Sequence, residues 1–117
     1  MAILDLKEVS ENEGKCYLAI EDNKVIGLIM GCIPPYDEYD YLDYKCPKRG
    51  EVTELIVSQK ARSKGTGQKL MQEMEAYFKK AGCKYIHIDV FAYNENAIKF
   101  YSKSGYHSRM HNMIKKI

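Results

Sequence analysis

The alternation of apolar and polar positions predicts most of the elements directly. Cys16 to Ile20 and Lys24 to Ile33 are apolar runs on either side of the polar cluster Glu21-Asp22-Asn23, which predicts a β-hairpin ending at Pro34-Pro35. Residues 36–50 follow neither a strand's nor a helix's period and read as a long, tyrosine-rich loop. Glu51 to Ser58 reads as a strand, and its continuous Leu55-Ile56-Val57 suits a buried position. From Gly67 to Ala81 the residues Leu70, Met71, Met74, Tyr77, Phe78 and Ala81 recur at helical spacing on one face, and Lys79, Lys80 and Gly82 make a favourable C-terminal end. Tyr85 to Phe91 sets Ile86, Ile88 and Val90 against Tyr85, His87 and Asp89, the pattern of a strand. Asn94 is placed to cap a second helix carrying Ala97, Ile98, Phe100 and Tyr101, with Gly105 at its stop, and Tyr106 to Ile114 reads as a last strand. The order β-β-loop-β-α-β-α-β describes an α/β fold of the α+β kind, a mixed sheet with helices packed on it.

Composition narrows what this fold can do. A chain of 117 residues holds one core and not two, so residues 1–117 are read as a single domain with its motifs on one site. Hydrophobic residues at 45% and charged residues at 29% are ordinary for a soluble globular protein. No run approaches the roughly 18 apolar residues of a membrane span, and MAILDLKEVSENEG lacks the pattern of a signal peptide, so a cytoplasmic protein without a membrane partner is expected. The net charge of +2 and the scattered lysines argue against nucleic acid. Cys16, Cys32, Cys46 and Cys83 form no Cys-x-x-Cys pair and are read as free thiols. Cys83 with His87, and His107 with His111, lie in segments that read as strand, where residues four apart are about 13 Å apart and cannot share an ion. No metal is expected.

The densest chemistry lies in Arg62-Ser63-Lys64-Gly65-Thr66-Gly67, between a strand and an amphipathic helix. A turn that opens a helix leaves backbone N–H groups without intrahelical partners, at the end where the helix dipole is positive, so anions bind there. Gly65 and Gly67 let the backbone approach an anion closely, and Lys60, Arg62 and Lys64 add charge, a combination that fits a diphosphate. The same residues also describe a plain tight turn with solvated basic neighbours. A Walker A loop would need Gly-Lys-Ser/Thr at its end, and a Rossmann fingerprint a third glycine where Leu70 stands. Asp89 has the spacing of a ribose-binding acid, but only one βαβ unit follows the hairpin, too few for a doubly wound dinucleotide fold.

With these residues the sequence strongly resembles the GCN5-related N-acetyltransferase family. Arg62-Ser63-Lys64-Gly65-Thr66-Gly67 matches its Gln/Arg-x-x-Gly-x-Gly/Ala signature after a Leu-x-Val strand ending. Asn94, Ala97, Phe100, Tyr101, Gly105 and Tyr106 match its second signature on the next helix, and the resemblance covers roughly residues 16–114. It implies acetyl-CoA as acyl donor and an amine as acceptor. The CoA pyrophosphate would lie on the backbone of Arg62, Ser63, Lys64, Gly65, Thr66, Gly67 and Gln68. The pantetheine arm would run along Leu55, Ile56 and Val57 like an added strand, with Asn94 helping to hold it.

Transfer from a thioester needs a neutral amine and a protonated leaving thiolate. An amine of pKa about 10.4 is neutral about once in several thousand molecules at pH 7, a handicap of roughly 4–5 kcal/mol that a base or desolvation can offset. Glu54 and Glu51 are the acids on the strand where the family often carries its base. Strict alternation puts them on opposite faces, so at most one meets the substrate unless a bulge shifts the register. Glu54 is preferred; the alternative is that both are solvated and water removes the proton. The resemblance makes Tyr101 the proton donor to the thiolate, since a phenol of pKa about 10 is protonated at neutral pH. Phe100 and Tyr101 also suit a core. His87 and Asp89 share a strand face and could form a relay, or be surface residues.

Family members usually begin with a strand and one or two helices that wall the acceptor side. Ile3 to Ser10 reads as the remnant of the last of these helices, giving a fold shortened at its N-terminus. The acceptor site would then be open or completed by a second copy in a homodimer, pairing through the edge of the Cys16–Ile20 strand. In the long loop, Tyr36, Tyr39, Tyr41 and Tyr44 interleave with Asp37, Glu38, Asp40 and Asp43, which suits either a cationic acceptor or a solvated loop. The competing function is a module that holds acyl-CoA without turnover.

Overall fold

The computed structural model describes residues 1–6, 12–35 and 48–117. The tyrosine-rich and acidic positions between 36 and 47, and Cys46 with them, lie outside the described residues. The strands are β1 (Ala2–Leu6), β2 (Lys15–Glu21), β3 (Lys24–Cys32), β4 (Arg49–Val57) and β5 (Tyr85–Ile88). A 3-10 turn at Gln59–Ala61 precedes helix α1 (Thr66–Lys80), and α2 (Glu95–Lys103) follows β5. The strands form one sheet in the order β1-β2-β3-β4-β5, antiparallel throughout except for β5, which runs parallel to β4. Among the described residues no helix is long and apolar enough to cross a membrane.

Two expectations are corrected. Ile3 to Ser10 is not a helix remnant in its described part, because Ala2–Leu6 is a strand. Its alternating residues register with β2, Ala2 opposite Ile20, Leu4 opposite Leu18 and Leu6 opposite Cys16, so backbone pairing with an open sheet edge decides its conformation. The edge of the Cys16–Ile20 strand is therefore covered by β1 and is not available to a second copy. The second correction is at the other end. Tyr106 to Ile114 forms no strand, and Met110, Met113 and Ile114 are exposed there. The chain leaves α2 through Tyr106, whose N–H donates to Tyr101 O at 3.0 Å and whose hydroxyl donates to Glu75 Oε2 at 2.7 Å. Beyond that anchor no ladder with β5 forms, and alternation without a partner does not make a strand. Cys83 and the His107/His111 pair are consequently not on strands, and the spacing argument against a shared metal does not apply to them. Among the described residues no group of three or more His, Cys, Asp or Glu side chains is arranged to hold a metal.

The core lies between one sheet face and α1. Tyr17, Ala19, Ile29, Ile33 and Val52 meet Leu70, Met71, Met74 and Phe78. The sheet face beneath the helix is lowered by glycines. A Cβ at Gly31 would stand 2.9 Å from both Met74 Sδ and the Phe78 ring, and one at Gly50 would stand 2.4 Å from that ring. Phe78 is fully buried over these positions, a burial that stabilises the fold by about 1.5–3 kcal/mol. Gly50→Ala drives a methyl into an aromatic ring that cannot swing aside, and overpacking of this kind costs about 1–3 kcal/mol. Urea denaturation should show the midpoint falling with an unchanged slope.

At the β1 end, Tyr17 is buried beside Lys15, whose Nζ lies 5.5 Å from the Tyr17 ring centroid, 5.3 Å from that of Tyr77 and 2.6 Å from Asp5 Oδ1. Burial first, and then the charges of Asp5, Glu73 and Tyr77, push the Tyr17 phenol from 10 up to about 12. Above the ordinary value the unfolded chain releases this proton while the folded chain keeps it, so stability falls as pH rises from 10 to about 12. Thermal unfolding across that window should show a shallower decline for Tyr17→Phe than for the natural chain.

Candidate donor and acceptor site

The basic turn follows β4 directly. Ser58 N–H bonds to Ile26 O at 2.8 Å, closing the strand, and the 3-10 turn then buries Ala61 as a pivot. Arg62 Nε lies 3.4 Å from Val57 O, tying the turn back to the strand end. Ser63 (φ 67°) and Gly65 (φ 80°) take left-handed backbone conformations, and Gly65 is the N-cap of α1. Only glycine holds this conformation without cost, and a Cβ at Gly65 would meet open space, so the constraint there is conformational and not steric. Gly65 has no side chain to cap the helix, and the Lys69 N–H bonds to Gly65 O at 3.0 Å. The amides of Thr66, Gly67 and Gln68 thus lie in the first turn, where helix geometry gives them no partner. Arg62, Ser63, Lys64, Gly65 and Gln68 are exposed around them, while Thr66 is buried beneath at 3%.

The strand leading to this turn is half open. β5 pairs with β4 from Arg49↔Tyr85 to Val52↔Ile88 and stops. Past Val52 the edge of β4 that faced β5 has no strand partner among the described residues, while the opposite edge stays paired to β3 through Gly27↔Val57. Leu55, Ile56 and Val57 therefore lie on an edge that offers N–H and C=O groups to an extended, amide-containing ligand.

A bulge in β4 decides which side chains accompany that edge. Its pairing with β3 steps from Met30↔Glu54 to Gly31↔Val52, leaving Thr53 as the extra residue. Gly50 and Val52 face α1 before the bulge, and Leu55 and Val57 pack against the same core after it. Glu51 and Glu54 consequently lie together on the opposite face, with Ile56, which is 53% exposed. Strict alternation would have separated them. The sequence carries the signal for this, since the helix-facing apolar positions step by three, from Val52 to Leu55, and not by two. In β5, Ile86 and Ile88 pack on the core side, so His87 shares the outer face and is the register partner of Glu51. His87 is thus set beside Glu51, whereas sequence spacing coupled it to Asp89.

The second helix closes the other side. Asn94 is its N-cap, and its Oδ1 accepts from Ala97 N at 3.1 Å, which leaves the side-chain NH₂ for any ligand. Phe100 packs against the start of α1 and the end of β4, for a Cβ at Gly67 would stand 3.5 Å from the Phe100 ring and 3.6 Å from Val57. Tyr101 stacks edge-on with Phe100 and Tyr106 at centroid distances of 5.2 and 5.8 Å. It is half-buried, and burial pushes its phenol above the ordinary value of 10. The Tyr106–Glu75 hydrogen bond, which sequence reasoning did not find, fixes the end of α2 to α1.

This arrangement agrees with the comparisons. The model of the acetyltransferase (GNAT) family matches residues 2–106. The chain belongs to the GNAT acetyltransferase family. An uncharacterized N-acetyltransferase of Methanocaldococcus jannaschii is 32% identical over 94 residues, 80% of this chain and 53% of that protein. The chain thus spans about half the length of the curated relative it matches. A solved Pyrococcus furiosus structure described as an acetyl transferase superposes with a TM-score of 0.78 at 30% identity, covering 92% of this chain and 68% of that one. An aminoglycoside N-acetyltransferase solved with CoA shares the fold, with a TM-score of 0.76 at 15% identity over 92% of this chain and 78% of that one. The family match begins at residue 2 and so takes in β1.

Asn94 has a structural duty, the cap of α2, that can be measured without ligand. Asn94→Ala removes the cap of α2 and should cost about 1 kcal/mol of stability. Chemical denaturation of the unliganded chain is the measurement, and Asn94→Asp, which keeps the acceptor oxygen, should restore the loss.

Proposed function

We propose that the chain transfers an acetyl group from acetyl-CoA to a primary amine of a small molecule or protein. The observation that carries the reading is the half-open β4, whose free edge beyond Val52 runs straight into an uncapped helix N-terminus flanked by Arg62 and Lys64. An open edge followed by unsatisfied amides and positive charge suits one ligand, a chain with amide groups ending in a diphosphate. Coenzyme A is such a molecule. Family membership and the CoA-containing structure of the same fold support the choice.

In this reading the amides of Thr66, Gly67 and Gln68 and the charges of Arg62 and Lys64 hold the pyrophosphate, with Ser63 and Gly65 shaping the turn. The pantetheine arm lies along Leu55, Ile56 and Val57, and the NH₂ of Asn94 reaches it from the other side. The thioester carbonyl comes to the point where β4 and β5 part. The amine approaches on the face that carries Glu51 and Glu54, whose carboxylates attract a cation, with a proton acceptor on that face taking its proton. Nitrogen attacks the carbonyl carbon, the carbon–sulfur bond breaks, and Tyr101 gives its proton to the departing thiolate. A phenol pushed upward by burial stays protonated throughout the physiological range, which suits this role.

Thiol release from acetyl-CoA, measured with a panel of small and peptide amines, tests the reading. Amine-dependent release is expected. Tyr101→Phe should lower kcat about 100-fold or more, the usual scale of general acid catalysis, while CoA affinity is little changed. Thermal stabilisation by acetyl-CoA without release from any amine would instead identify a binding module.

A further inference from the structure

Resting on the transferase reading, we infer that His87 is the base that takes the acceptor's proton and that Glu51 holds and orients it. The parallel register makes the two residues direct neighbours on adjacent strands, a separation of about 4.8 Å between backbones that lets carboxylate and imidazole meet. Both lie on the outer face, because their neighbours Gly50, Val52, Ile86 and Ile88 take the core side. The pair stands one residue before Val52↔Ile88, the last pairing before the strands part. A pantetheine arm running from the turn back along β4 covers Val57 to Val52, roughly 16 Å at about 3.3 Å per residue, and delivers its thioester to this fork. His87 and Glu51 flank the fork from the acceptor side. Glu54 stands past the bulge, alongside the arm, and serves the amine's charge.

Imidazole is suited to the task where a carboxylate is not. A carboxylate with a pKa near 4.3 is a weak base toward an ammonium, whereas imidazole, ordinarily near 6.5, is deprotonated at neutral pH yet basic enough to compete. The proton balance is simple. The ammonium gives one proton to His87 and so frees its lone pair, and His87 passes that proton to solvent. The nitrogen then forms the carbon–nitrogen bond as the carbon–sulfur bond breaks, and Tyr101 protonates the sulfur. The second nitrogen proton returns to the Tyr101 oxygen through water. One proton is released per acetyl group transferred.

Among the described residues, the charged and titratable groups in register around His87 include Glu51 and Arg49 on β4, Cys32 beyond them on β3, and Tyr85 and Asp89 on its own segment. Glu51 already acts across this row, its charge being one cause, after burial, of the raised Cys32 thiol. Neither arginine nor a raised thiol is a base at neutral pH, whereas imidazole is the side chain whose ordinary range lies near neutrality.

The test is the pH profile of kcat/KM for the intact chain with acetyl-CoA and an alkylamine. The natural chain should show an acid limb, and His87→Gln should lower the pH 7 value about 100-fold and abolish that limb. The deficit should close at pH values above the amine's own pKa, where no base is needed; a merely structural loss would persist there. Glu51→Gln should keep the limb and move it to lower pH, because the imidazolium loses its carboxylate, and this variant decides the matter if His87→Gln fails to bind CoA. A natural chain that turns over but keeps its limb and rate in His87→Gln overturns the assignment and returns the role to Glu54 or water. Binding of CoA with no amine-dependent release by the natural chain overturns the transferase reading itself.

Discussion

The close seat of α1 on the sheet is the contact on which the rest depends. Interiors pack at crystal-like density, so a helix can descend onto a sheet only where side chains make room. Here Gly31 and Gly50 make it, and Met74 and Phe78 fill it. The height and direction of α1 are set at that floor, and its N-terminus is thereby fixed at the end of β4, over Val57. Phe100 then wedges between Gly67 and Val57, and Tyr106 ties α2 to Glu75 on α1. The basic turn, the open strand edge and the phenol of Tyr101 are therefore positioned from one packed interface and not from separate loops.

The bulge at Thr53 turns that positioned strand into a divider. Without it, the apolar residues at Val52 and Leu55 could not both face the helix, and one glutamate would have to point into the core at the cost of burying an unpaired charge. With it, the core side stays apolar and the carboxylates gather on the other face. The end of β5 at Ile88 is fixed as simply. Phe91 and Tyr93 stack at 5.3 Å, and the Asn94 N–H bonds to Phe91 O at 2.9 Å, folding the chain into a turn that leads to α2. The chain is taken away from β4 there, and the fork between the strands follows.

Much of this was legible in the sequence. The hairpin, the strand after the long loop, both helices and the Asn94 cap follow from periodicity and capping chemistry, and the two signatures pointed to the family; the Leu55-Ile56-Val57 run is not buried, Ile56 being 53% exposed. The failures share a cause. Ala2–Leu6 is too short a run for its own pattern to distinguish strand from helix, and its state is decided by the open edge of β2. Tyr106 to Ile114 was read as a closing strand, but among the described residues no partner strand receives it. The shared face of Glu51 and Glu54 and the pairing of Glu51 with His87 depend on register between segments far apart in sequence, which a single strand's alternation does not encode. The step from Val52 to Leu55 was the one local trace of the bulge.

The chemistry that follows from this partition is a separation of environments. In the proposed transfer two proton movements are needed, one from an amine that must become neutral and one to a sulfur that must not leave as a free thiolate. A single environment serves both poorly, because carboxylates that draw a cation in also disfavour the anion left when an acid gives up its proton. β4 keeps them apart. On the helix side Tyr101 is half-buried among aromatic rings, where the loss of water holds its proton on. On the outer face Glu51 and Glu54 lie with His87, and there, in the proposed reaction, a cation would be drawn in and its proton taken. The same strand edge that would bind the donor is thus the boundary between acid and base, and its bulge is what assigns each group to its side.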